Sequence, residues 1–132
     1  MAVCKVDGDG AHGAATDLTT GNFANYVIKK TMYLALAKDS SGTKLKVELN
    51  TMTATNGTDL SAIKVMVVCG DKKIVLDNAN RTSTEVLATL GTNAAVEVDI
   101  YIYYDGTATA VTTDNFANLA GANIDLTFTV EE

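Results

Sequence analysis

Residues 96–105, VEVDIYIYYD, constrain the fold of this chain more than any other stretch. Val96, Val98, Ile100, Ile102 and Tyr104 alternate with Glu97, Asp99, Tyr101, Tyr103 and Asp105. Successive side chains of a strand point to opposite faces, so this period describes a β-strand with one dry face and one wet face. The run ends in Asp105-Gly106, a turn signal, and a second alternation follows over Asn123–Glu131. There Ile124, Leu126, Phe128 and Val130 share a face against Asp125, Thr127, Thr129 and Glu131. Strands with one dry face need a second layer to cover them.

The remaining chain repeats this grammar. Residues 2–6 form a short apolar strand, and 7–13 (DGDGAHG) are too glycine-rich for regular structure. That divides the chain into an N-terminal strand with its tether, 1–13, and a single β-sandwich domain, 14–132. Residues 26–37 read as a long strand with Tyr26, Ile28, Met32, Leu34 and Leu36 on its dry face. Lys30 interrupts that face, so a bulge or a strand end is expected near it. Asp39-Ser40-Ser41-Gly42 turns the chain into Lys44–Thr53, and the spacing predicts a hairpin between the two strands. Ile63–Cys69 is apolar on nearly both faces, which suits a central strand, and Gly70-Asp71-Lys72 leads to a hairpin partner over 73–76. Residues 85–90 fit a helical turn or an edge strand equally well. The tetrapeptide Asn-Phe-Ala-Asn occurs at 22–25 and at 115–118, and both copies read as loops whose Phe23 and Phe116 plug the ends of a core. About eight strands with turn-rich connections predict an all-β fold, an antiparallel jelly-roll-like β-sandwich. An immunoglobulin-like sandwich comes second, because the chain has no Trp.

Composition narrows the function. A formal charge of −6 with scattered lysines offers no basic face for phosphates, so no nucleic-acid partner is expected. Lys29-Lys30 and Lys72-Lys73 are the only basic doublets, and they suit exposed or edge-strand positions that discourage sheet-to-sheet pairing. No run approaches the roughly 18 apolar residues that cross a bilayer as a helix, so no membrane span is expected. The opening residues lack the charged start and apolar core of a signal peptide. Cys4 and Cys69 are either one disulfide or two separate thiols, and Cys69 closes the buried face of its strand.

No catalytic constellation emerges, and the expectation is a protein that is not an enzyme and uses no cofactor. One His excludes the paired-His metalloprotease signatures. A cysteine nucleophile would need His12 beside Cys69, whose apolar strand suits an inert thiol. Glu97 and Asp99 share a wet face and, with Asp105 and Asp125, could supply a carboxylate pair, although alternating acids are also how a solvated sheet looks. Asp7, Asp9 and Asp17 among glycines resemble a fragment of a calcium loop without its closing Glu, and the residues fit an acidic linker better. Tyr101 and Tyr103, with Tyr33, offer an aromatic binding face for carbohydrate or a surface protein; paired tyrosines on a sheet surface are the plainer reading.

The block over 98–132 is similar to the end of the TasA and camelysin-like exported biofilm-fibre proteins of Gram-positive bacteria. The resemblance is carried by Tyr101, Tyr103, Tyr104, Asp105, Gly106, Thr113, Asn115, Thr127, Phe128 and Thr129, with a second piece over 60–68. It covers about a third of the chain, and its motifs are structural. It implies an extracellular or cell-surface jelly-roll subunit of a biofilm matrix that forms a homo-oligomeric fibre by donor-strand complementation. The donor would be Ala2, Val3, Cys4, Lys5 and Val6, and a Cys4–Cys69 disulfide would then join neighbouring subunits. Protease activity described for camelysin-like proteins is not carried over to a chain with one His.

Overall fold

In a computed structural model the alternating run becomes β8 (Val96–Tyr104), paired on both sides within an antiparallel sheet. The structure describes residues 2–3, 16–17, 19, 27–53, 60–105 and 123–132. Against β8 lie β3 (Ile28–Leu34) on one side and β5 (Ile63–Cys69) on the other, and β6 (Lys72–Asp77) completes the order β3-β8-β5-β6. A second sheet has the order β7-β4-β9, built from β4 (Lys44–Thr53), β7 (Ala88–Thr89) and β9 (Asn123–Glu131). The two stack as the all-β sandwich expected from the alternation. Two further short strands, β1 (Ala2–Val3) and β2 (Thr16–Asp17), pair with each other.

The core is what the dry faces predict. Leu45, Val47, Leu49 and Met52 of β4 meet Ile63, Val65 and Val67 of β5, Val98 of β8, and Ile74 and Leu76 of β6. Leu87 and Leu90, from the ambiguous stretch, seal one side as an edge strand and its continuation rather than as a helical turn. The backbone explains that outcome, because Leu87 N–H donates to the Leu45 carbonyl and Leu90 N–H to the Thr43 carbonyl. The single helical turn among the described residues lies elsewhere, at Leu60–Ala62, where the Ala62 carbonyl accepts the Asp105 N–H at the end of β8.

Two expectations are corrected. β3 and β4 are not a hairpin, since β3 pairs with β8 and β4 pairs with β7 and β9. Alternation specifies which face of a strand is dry but not its neighbour, and residues 35–43 are long enough to cross the roughly 10 Å between packed sheets. Of the irregularities expected near Lys30 the bulge is absent and a strand end lies two residues away, since β3 begins at Ile28 and runs in unbroken register from Ile28 opposite Ile102 to Leu34 opposite Val96. The bulge lies in β4, where the register shifts between Leu49 and Thr51 and turns Met52 inward after the odd-numbered Leu45, Val47 and Leu49. The β5–β6 hairpin forms as expected, with Cys69 opposite Lys72 and Gly70 at φ 56 in the two-residue loop.

The flanks of the sandwich differ. From β6 the chain crosses to the edge of β4, where Leu49 N–H reaches the Arg81 carbonyl and Glu48 bridges Thr82 before β7 begins. That flank is closed. The sheet orders therefore put β3 and β9 on the opposite flank. There the inward-facing residues are only partly covered: Ile28 is 60% exposed and Val130 38%. Lys30 is tolerated on the dry face for the same reason, since it is exposed where β3 overhangs.

Candidate functional site

The open flank is the first candidate. A four-stranded sheet over a three-stranded one leaves β3 overhanging, and among the described residues nothing pairs with the outer edge of β9. Its backbone N–H and C=O groups on that edge form a template for one more strand. Ile124, Leu126 and Phe128 of β9 and Met32 of β3 line the same flank and are half-buried, in contrast to the sealed side chains of β4 and β5. Chemically this arrangement offers backbone donors and acceptors beside half-buried apolar side chains, the two features that β-addition of an extended segment uses.

The outer face of the four-stranded sheet is the second. Register places Thr31 opposite Asp99, Tyr33 opposite Glu97 and Lys29 opposite Tyr101. Asp99 accepts from Thr31 Oγ1 at 2.6 Å and from Tyr101 Oη at 3.3 Å, and pairs with Lys29 Nζ at 2.9 Å. The Thr31 hydroxyl and then the Lys29 ammonium hold the Asp99 carboxyl below the usual range, while the same pairing raises Lys29. Lys29 Nζ also lies 5.5 Å from the Tyr101 ring centre. Tyr33 donates to Glu97 Oε2 at 2.8 Å, which pushes the Tyr33 phenol up, and its ring is 65% exposed. A shallow concavity lined by Val68, Cys69, Gly70, Val96, Glu97 and Asp99 adjoins this network.

Farther along the same face Tyr103 stands opposite Lys64, which stands opposite Asp77. Lys64 Nζ lies 2.5 Å from Asp77 Oδ2, while Asp77 Oδ1 accepts the N–H groups of Ala79 at 2.9 Å and Asn80 at 2.8 Å. Burial pushes the Asp77 carboxyl up, but the Lys64 ammonium and the Asn80 and Ala79 amides outweigh it and leave the group below its ordinary value. Tyr103 is only 3% exposed and its hydroxyl has no partner among the described residues; burial, then the Asp105 and Asp77 charges, push it up to about 12.

The residues singled out from sequence fare unequally. Of the tyrosines expected to form a binding face, Tyr103 is buried, Tyr101 is half-buried beneath Lys29, and only Tyr33 presents its ring. A wet-face position does not ensure exposure: Tyr103 stands opposite Lys64 on that face and is buried. Glu97 and Asp99 do share a face, but Asp125 lies on the other sheet and accepts from Asn50 Nδ2 at 2.9 Å, so the wider carboxylate set is not assembled. Cys69 is a free, half-buried thiol that burial pushes up. Cys4, Lys5, Val6, Asp7, Asp9, Phe23 and Phe116 lie outside the described residues. Ala2 and Val3 pair with Asp17 and Thr16, so Asp17 sits in a strand. Among the described residues no group of three or more His, Cys, Asp or Glu could hold a metal, and no helix is long and apolar enough to cross a membrane.

The Lys64–Asp77 contact was missed from sequence although a signal existed. Counting outward from a two-residue turn at Gly70-Asp71 puts these residues opposite one another.

Fold and flank together define an antiparallel β-sandwich with a strand edge, unpaired among the described residues, beside a partly covered apolar side. No protein-family model matches the chain, and neither does any curated protein or solved structure.

Proposed function

We propose that this chain is a secreted, jelly-roll-like structural subunit of a bacterial extracellular fibre or biofilm matrix, assembling by donor-strand exchange. The edge of β9, unpaired among the described residues, beside the exposed Ile28 is the observation that carries the reading. A strand from a second copy would extend the three-stranded sheet, cover Leu126 and Phe128, and lie beneath the overhang of β3. The donor would be Ala2–Val6, an apolar segment on a glycine-rich tether. Its first two residues pair with β2 in a two-residue ladder outside both large sheets. So short a ladder is easily exchanged for a longer one. A Cys4–Cys69 disulfide between neighbours would lock the joint. Electron microscopy of the purified chain should then show filaments, and removing residues 1–9 should abolish them. Filaments formed by the shortened chain would overturn the reading.

A second reading, a carbohydrate- or protein-binding module, draws on the exposed Tyr33 ring beside Glu97 and the Thr31–Asp99–Lys29 network. A strictly monomeric chain whose glycan-array binding is lost in Tyr33→Ala would favour it.

A further inference from the structure

We propose that Lys64 and Asp77 condense into an intramolecular isopeptide bond that ties β5 to β6. Among the described residues Lys64–Asp77 is the ion pair with both members shielded, their side chains 20% and 14% exposed, whereas each other pair has at least one side chain close to half exposed. Tyr103, buried, walls the far side of Lys64.

The carboxyl group is held asymmetrically. Oδ1 receives the backbone N–H of Ala79 and of Asn80, together with Asn80 Nδ2 at 3.2 Å, while Oδ2 faces Lys64 Nζ. Amide formation needs this division. Negative charge gathers on one oxygen of the tetrahedral intermediate, and preformed N–H donors aimed at that oxygen lower the barrier. The other oxygen must take up protons and leave.

One ammonium proton of Lys64 passes to Oδ2 across the 2.5 Å contact, giving a neutral amine and a neutral acid, a minor form beside the ion pair that the Lys64 and amide contacts favour, and the one from which reaction proceeds. The nitrogen lone pair attacks Cγ, the C–N bond forms, and the carbonyl electrons move onto Oδ1. A second proton moves from nitrogen to Oδ2, the Cγ–Oδ2 bond breaks, and water departs. Oδ1 becomes the amide oxygen and keeps its three donors. The third proton remains as the amide N–H, so no oxidant or other reactant is required.

The bond does not depend on the fibre reading. The intact mass of the purified, folded full-length chain, measured after prolonged warm incubation, should fall below the sequence mass by one water. Tandem fragmentation should recover a branched peptide joining Lys64 to Asp77. Lys64→Arg keeps the charge pair but lacks the amine and should retain the full mass, as should Lys64→Ala. An unchanged wild-type mass would overturn the proposal and leave the pair as an ion pair. A water loss that persists in Lys64→Arg would also overturn it, since cyclisation of an Asp onto its own backbone loses the same mass.

Discussion

Tyr103 concentrates several forces in one side chain. Its ring is buried against the sheet, yet the hydroxyl finds no partner among the described residues, and a buried unpaired hydroxyl costs about 1–3 kcal/mol. Tyr103→Phe should therefore leave stability at neutral pH unchanged or raise it by about 1 kcal/mol, as measured by denaturant unfolding. The pH dependence has a definite sign. The phenol is held near 12 in the folded chain against about 10 when unfolded, so the unfolded chain ionises first. Stability is unaffected below about pH 10 and falls as pH rises toward 12, by roughly 2–3 kcal/mol from this group, and Tyr103→Phe should flatten that loss. Gly42 makes the opposite kind of demand. A Cβ there would sit 2.7 Å from the Glu131 carbonyl oxygen, which already accepts the Thr43 N–H at 2.9 Å. Because that neighbour is backbone at the end of β9, Gly42→Ala should lower stability by about 1–3 kcal/mol in thermal or denaturant unfolding.

At the scale of elements, the informative strands are those where pattern and partner diverge. β4 shows alternating Leu45, Val47 and Leu49 in sequence, but only the bulge at Asn50 explains why Met52, on the other parity, is buried. Asn50 is held there by its bonds to Asp125 and, through its carbonyl, to Arg81 Nη1 at 3.2 Å. The segment leading into β7 has no periodicity to advertise it. It is fixed instead by hydrogen bonds to β4 and by Leu87, which is 1% exposed. Leu87→Ala should cost about 2–5 kcal/mol, a core-sized penalty from a stretch that fits a helical turn or an edge strand equally well in sequence. A loss below about 0.5 kcal/mol in denaturant unfolding would mean the closed flank is not sealed by this residue.

For the whole molecule, the contrast between flanks governs the expected behaviour. One side is closed by the crossing from β6 to β7, and the other leaves β9 with an unpaired edge among the described residues. Loss of filaments on removing residues 1–9, with the monomer still folded, is the outcome that separates strand exchange from nonspecific edge pairing. The sequence by itself determined the long strands, their dry faces and the centre of the core, because a side-chain period of two and burial of apolar groups are local rules: Val65, Val67 and Val98 are sealed where their alternation puts them. The β5–β6 hairpin was equally legible, since a two-residue turn sets its own register. Tertiary structure alone decided that β3 and β4 belong to different sheets, that Tyr103 is covered while Tyr33 is not, and that β3 and β9 share an open flank. Those outcomes depend on which strands meet across long stretches of chain, and pairing partners are chosen by the packing of the whole sandwich rather than by any one strand's pattern.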